Sequence, residues 1–189
     1  TLTVGGTNVL DGGCWKTNES GILTTEGASE SDYNVKYDSA TGTLTLKDAT
    51  INGTKTIGHV GAGIYAEGDL TIVLEGSSTV TGVQDPNGDS QSIRVSGNLT
   101  IQGGGILTAQ GAETSSGSSY GIFVIGSFTQ QSGSVTAIGG NINGNYTSTG
   151  LYVYGGTVTA QDGTLTATGG DTSGSSYGIS MSSSSSVTV

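Results

Sequence analysis

The feature that most restricts the fold of this chain is a repeat of about 29 residues, a period typical of solenoids, in which each repeat packs mainly on its neighbours. A Gly/Ser-Ile/Leu step marks the start of each copy, at Gly63, Ser92, Gly121, Gly150 and Gly178. The first three intervals between these starts are equal, and the last is shorter by a single position. One copy is too short to bury a core alone, so the repeat predicts a stack of similar coils.

Each copy contains three short runs that alternate with period two and are rich in Ile, Val, Leu, Thr and Tyr, which is typical of strands. Glycines separate the runs and allow sharp bends. The pattern predicts an all-β, parallel β-helix with three short strands per coil, right-handed by the rule for parallel crossovers. The expected inward residues are Ile64, Ala66, Ile93, Val95, Ile122, Val124, Leu151, Val153 and Ile179 on one face, Leu70, Ile72, Leu99, Ile101, Phe128 and Val158 on the second, and Val80, Leu107, Val135 and Leu165 on the third.

The part of the chain before the repeats follows the period poorly and predicts a different role. Within it, NVKYDSATGTLTLKDATI predicts a β-hairpin around a Ser-Ala-Thr-Gly turn. We expect residues 1–62 to form an N-terminal cap and the first coil, packed with repeats 63–189 as one domain. The last segment, GISMSSSSSVTV, begins a copy without finishing it, so we expect the chain to be cut from a longer protein.

Charge and composition exclude several function classes. Five basic residues against fifteen acidic ones give a net charge of −10, which disfavours nucleic acid as a partner. No run approaches the roughly 18 apolar residues of a membrane helix, so we expect no membrane insertion. One histidine and one cysteine are too few for a typical zinc cluster or an internal disulfide, and we expect no metal site and no cofactor.

The stretch YDSATGTLTLKDATI, followed by repeats such as GIYAEGDLTIVLEGSSTVTG, GGGILTAQG and SGSVTAIGG, resembles a known group. Similar β-helix repeats occur in large cell-surface proteins of Gram-positive bacteria, often gut anaerobes, and some of these are carbohydrate-binding-domain proteins. The resemblance spans nearly the whole chain. It implies an extracellular, cell-surface or cell-wall location beside other domains of a larger surface protein. Relatives often carry calcium-suited aspartates before the Gly-Ile step, where this chain has Ala62, Gln91 and Tyr120.

The third position of each copy predicts a candidate ligand-binding stripe. Alternation turns this position outward, and it holds Tyr65, Arg94, Phe123 and Tyr152, with Tyr154 two residues further on. Rings stacked one coil apart would offer a flat platform to the apolar face of a sugar. The alternative is that the aromatic residues form a stabilising ladder on an exposed strand face.

Two threonine ladders are also expected to face outward. Regular threonine arrays can order water, as in β-solenoid ice-binding proteins, but threonine is also a common residue of exposed strands. The expected ladders are Thr71, Thr100, Thr129 and Thr159, and Thr81, Thr108, Thr136 and Thr166.

No residue set predicts catalysis. Most glycoside hydrolases need two carboxylates across one bond, and the acidic residues Asp48, Glu67, Asp69, Glu75, Asp85 and Asp89 form no recurring pair. The single histidine, His59, has no nucleophile motif to serve. We therefore expect a non-catalytic adhesin-like or carbohydrate-binding module that meets a polysaccharide or host glycan. The alternatives are a structural spacer and a polysaccharide lyase or hydrolase-like β-helix enzyme.

Overall fold

The structure is a computed structural model that describes residues 1–182 and 186–188. All regular elements in these residues are strands. The first eight strands precede the repeats and are β1 (Leu2–Val4), β2 (Thr7–Asn8), β3 (Gly13–Thr17), β4 (Leu23–Thr24), β5 (Val35–Asp38), β6 (Thr43–Lys47), β7 (Thr50–Asn52) and β8 (Lys55–Ile57). No helix in the described part of the chain is long and apolar enough to cross a membrane.

The repeats supply fourteen more strands, three for each complete coil. They are β9 (Val60–Ala66), β10 (Leu70–Glu75), β11 (Ser77–Thr81), β12 (Asp89–Val95), β13 (Leu99–Gly103), β14 (Ile106–Gln110), β15 (Ser119–Val124), β16 (Phe128–Gln130), β17 (Ser134–Ile138), β18 (Ser148–Val153), β19 (Val158–Ala160), β20 (Thr164–Thr168), β21 (Ser176–Met181) and β22 (Val187–Thr188).

The strands form three sheets that run along the solenoid, so the predicted parallel β-helix is confirmed. In the first sheet β9, β12, β15, β18 and β21 are parallel neighbours. The second sheet stacks β6, β10, β13, β16, β19 and β22, and the third stacks β7, β11, β14, β17 and β20. The right-handed sense stays a prediction from the crossover rule.

The core is a set of apolar columns, because each inward residue pairs with its equivalent one coil away. Ile64, Ile93, Ile122 and Leu151 form one such column, and all are fully buried. Stacking like on like buries apolar surface that one coil would leave in water. Ile179 continues this column in register but is 39% exposed, because β21 is the edge strand of its sheet. Leu165, also near that end, is only partly buried.

The N-terminal end is closed by antiparallel strands. The predicted hairpin is confirmed as β5 and β6, and β3 adds to its free side. Strand β6 then pairs in parallel with β10, so it joins the hairpin to the stack. In the first sheet, β1 and β8 both pair antiparallel with β9. Trp15 and Val35 are buried and bring the cap into the core.

A buried serine ladder joins each coil to the next. Its members Ser90, Ser119 and Ser148 are in register and fully buried. The Ser119 hydroxyl donates to the carbonyl of Ala112 in its own coil at 2.8 Å and accepts from the N–H of Gly140 in the next at 2.9 Å. Ser90 accepts likewise from the Ala112 N–H. Side chains thus satisfy backbone groups that the corner would otherwise leave unpaired.

The first threonine ladder has the expected members, and the second differs from expectation by one. Thr71, Thr100, Thr129 and Thr159 are in register on the second sheet. On the third sheet, Thr108 pairs with Thr79, while Thr81 pairs with Gln110. The expected place of Thr81 in this ladder is therefore wrong, because Thr79 lies as many residues after Gly63 as Thr108 lies after Ser92, and Thr81 lies two positions further along the chain.

Candidate functional site

Six of the eleven aromatic residues lie on or directly after strands of the first sheet, outside the core. We call this set the aromatic face, and it comprises Tyr65, Tyr120, Phe123, Tyr152, Tyr154 and Tyr177. None of them belongs to the buried core cluster. Aromatic side chains that a fold keeps outside its core are the usual contact groups of binding surfaces.

The structure brings four of the five predicted site residues into one column. Arg94 pairs with Tyr65 on one side and with Phe123 on the other, and Phe123 pairs with Tyr152. All four side chains are half-buried. Tyr154 follows β18 and is 56% exposed. The repeat spacing therefore produces a continuous column of long side chains along the solenoid axis.

Two of the rings in this column lie face to face, so each hides one of its faces from solvent. The Phe123 and Tyr152 rings stack on one another with centroids 4.9 Å apart and planes 30° apart. The guanidinium carbon of Arg94 lies 4.9 Å from the Phe123 ring centroid. Phe123 thus has partners on both faces, which differs from the expected flat platform because ring and cation prefer one another to water. A ligand at Phe123 would therefore meet the edge of its ring and not a face.

The face of Tyr152 that points away from Phe123 lies at the end of this stack. The next position in the column is Ser180, whose small side chain supplies no ring. Tyr154 lies two residues after Tyr152 in the chain, and Tyr177 lies on the neighbouring strand β21. Their side chains are 56% and 45% exposed. This end of the aromatic face is therefore where a sugar ring would find an aromatic surface free of another ring.

Tyr120 belongs to the same cluster, although strict alternation places it inside. Its ring meets Phe123 edge-on at 5.1 Å and Tyr152 at 5.7 Å. Alternation breaks at the Gly-Ile step, because a Cβ at Gly121 would point into the third sheet against the backbone of Ile138. Burial raises the pKa of the Tyr120 phenol. The recurring glycine at this step was the signal that could have revealed this residue.

No family model, curated protein or solved structure matches this chain.

A concave region separate from the aromatic face follows the third strands of successive coils. It is an open groove of about 700 Å³ with a glycine floor and polar side chains, including Gln110, Glu113, Asn141 and Asp171. A smaller groove of about 420 Å³ adjoins it at Glu113. These loops pack on one another through bonds such as Ile142 N–H to Asp171 O at 2.7 Å, so they form a continuous wall.

The acidic residues considered for catalysis serve structural contacts. Asp48, Asp69 and Asp89 each accept a backbone N–H from the following coil, at 2.7 to 2.9 Å. Three others have different partners: Glu67 pairs with the N-terminal amine, Glu75 with Lys47, and Asp85 accepts the Asn87 N–H and lies 4.0 Å from His59. Within residues 1–182 and 186–188, no three His, Cys, Asp or Glu side chains are grouped to hold a metal.

Proposed function

We propose that this protein is a non-catalytic carbohydrate-recognition module of an extracellular surface protein, and that it binds a glycan on the aromatic face. The observation that carries the proposal is the gathering of six aromatic side chains outside the core, with Tyr154 and Tyr177 the most exposed among them. Aromatic rings pack against the apolar faces of sugars, and tyrosine adds a hydroxyl for hydrogen bonding. A β-solenoid is compatible with this function.

The bound sugar meets the aromatic face at its C-terminal end. There the outer side of Tyr152 is next to Ser180, and Tyr154 and Tyr177 extend into solvent. Phe123 and Tyr120 act beneath this surface by fixing the Tyr152 ring. A rigid ring loses little conformational entropy on binding, which favours affinity.

A glycan array with the purified protein tests the proposal, run once with calcium and once with a chelator. We expect binding to at least one glycan class. The double variant Tyr154→Ala/Tyr177→Ala should lower the affinity for that glycan at least about tenfold. Tyr146→Ala is the matched control, because Tyr146 is 43% exposed and lies in a loop outside the aromatic face.

The second candidate function is a structural spacer that holds other domains away from the cell wall. The observation that favours it is that Phe123 already stacks on neighbours at both faces, as a stabilising ladder would. Silence across plant, mucin and microbial glycans would contradict recognition and favour the spacer. New reducing ends or unsaturated products from acidic polysaccharides would instead favour the enzyme alternative.

A further inference from the structure

Arg94 is the only basic side chain in residues 63–189, and it lies in the middle of the aromatic face. The described lysines of the cap behave differently, because Lys16, Lys36 and Lys47 each form an ion pair with an acidic side chain. Arg94 forms none with any described residue. A chain with a net charge of −10 contains many carboxylates, so an arginine without an ion pair is unexpected.

The surroundings of Arg94 hold its guanidinium in place without using up its hydrogen-bonding capacity. The guanidinium lies over the Phe123 ring, and its Nη1 donates to the Gln91 side chain at 3.4 Å. Its Nε is buried and has no hydrogen-bond partner. Because this Nε is closed to solvent, a ligand from outside would bind the terminal Nη groups instead.

Asp89, which interacts with Arg94 electrostatically, forms no ion pair with it. Asp89 uses its Oδ1 to accept the backbone N–H of Ser118 at 2.9 Å. Burial raises the pKa of this carboxyl group. Arg94 lowers the same pKa, but its effect is smaller than that of burial. No ion pair with a described residue neutralises Arg94, so its positive charge can attract an anion from outside the protein.

We propose that Arg94 binds a carboxylate carried by one sugar of an otherwise neutral glycan, whose neighbouring sugar packs at the Tyr152 end of the aromatic face. This inference rests on the proposed carbohydrate binding and adds the charge class of the ligand. A guanidinium matches a carboxylate in shape and charge and binds it with two parallel hydrogen bonds. Arg94 and Tyr152 are two coils apart, about 10 Å, which is within reach of adjacent sugars.

The number of carboxylates follows from the charge of the protein. One arginine supplies one favourable site, whereas the net charge of −10 repels each further anion. A polysaccharide charged on every residue would meet that repulsion along its whole length. The structure therefore favours sparse acidity over a polyanion.

Calorimetric titration of the whole protein with paired oligosaccharides tests the inference. One singly charged probe is sialyllactose, and its neutral partners are sialyllactose methyl ester and lactose. The other singly charged probe is an aldotetraouronic acid, and its neutral partner is xylotetraose. Tetragalacturonate serves as the polyanion. We expect a singly charged probe to bind at least about tenfold more tightly than its neutral partner. Arg94→Gln should remove that preference, and Arg94→Lys should keep part of it.

The outcomes separate the two proposals. Equal binding of charged and neutral partners by the unaltered protein would overturn the role of Arg94 and leave carbohydrate binding intact. Tightest binding of tetragalacturonate would overturn the single-carboxylate inference. No binding of any probe, together with a silent glycan array, would overturn both. Because these comparisons use the unaltered protein, they stand even if the Arg94→Gln variant fails to fold.

Discussion

The Phe123 and Tyr152 rings, one coil apart, stack with their centroids 4.9 Å from one another. This contact links the stability of the solenoid to the shape of its candidate binding surface. Rings that support each other in this way keep one orientation, so the proposed binding surface is arranged before any ligand reaches it.

Phe123→Ala should lower the free energy of unfolding by about 1 to 3 kcal/mol, because it removes stacking on Tyr152 and Arg94 together with half-buried apolar area. Urea denaturation measures the change. Tyr154→Ala is the control and should stay within about 0.5 kcal/mol, since Tyr154 is 56% exposed. Equal losses in both variants would show that the stack adds no stability.

Ser119→Ala should destabilise the fold by about 2 kcal/mol or more, because the change leaves the Gly140 N–H and the Ala112 carbonyl without their partner in a buried corner. Ser127→Ala makes a suitable comparison, since Ser127 accepts the Thr157 N–H at an exposed site, where water can replace it. Its loss should stay below about 1 kcal/mol. A Ser119 variant as stable as the Ser127 variant would contradict the role assigned to the ladder.

Gly140→Ala should destabilise by at least about 2 kcal/mol, because the new methyl group would collide with the Ala112 carbonyl of the neighbouring coil. Gly104→Ala meets no atom within 4 Å and should be neutral or slightly stabilising, through the unfolded chain. Thermal unfolding of the two variants decides the matter. The coils would be more loosely stacked than described if both changes were tolerated.

Asp89→Asn should raise the free energy of unfolding at pH 7. Burial raises the pKa of Asp89 in the folded state, so the protonated form favours folding at low pH, and this contribution is lost as pH rises from the unfolded pKa through the folded pKa. Asparagine removes the charge and retains an oxygen for the Ser118 N–H. Urea titrations at pH 7 and pH 3 should show a gain that disappears at the acidic pH. A loss at pH 7 would mean that attraction to Arg94 outweighs burial.

Much of the solenoid could be predicted from the sequence because the repeat and the alternation act together. The period placed Ile64, Ile93, Ile122 and Leu151 in one column, and all four are buried there. Alternation alone also turned Arg94 and Phe123 outward, as the structure has them. Local pattern was sufficient where the strand is regular and each coil has a neighbour above and below.

The remaining features depend on contacts that local pattern does not encode. Tyr120 joins the aromatic face because the strand breaks alternation at Gly121. Gln130 lies fully buried in the column of Ile101, where its amide donates to the carbonyls of Gly133 and Thr164. The orientation of the rings follows from side-chain packing between coils, which the period of the repeat leaves open.

The serine ladder has a consequence for how such a protein can change its length. The hydroxyls of Ser119 and Ser148 each accept a hydrogen bond from an N–H of the following coil and donate one to a carbonyl of the same coil. These two coils are therefore joined to the next coil in the same way. Duplication or loss of one whole period in the gene would lengthen or shorten the rod by about 4.8 Å without requiring a new interface. The length of the solenoid can therefore change in steps of one coil while the bonds between coils stay the same.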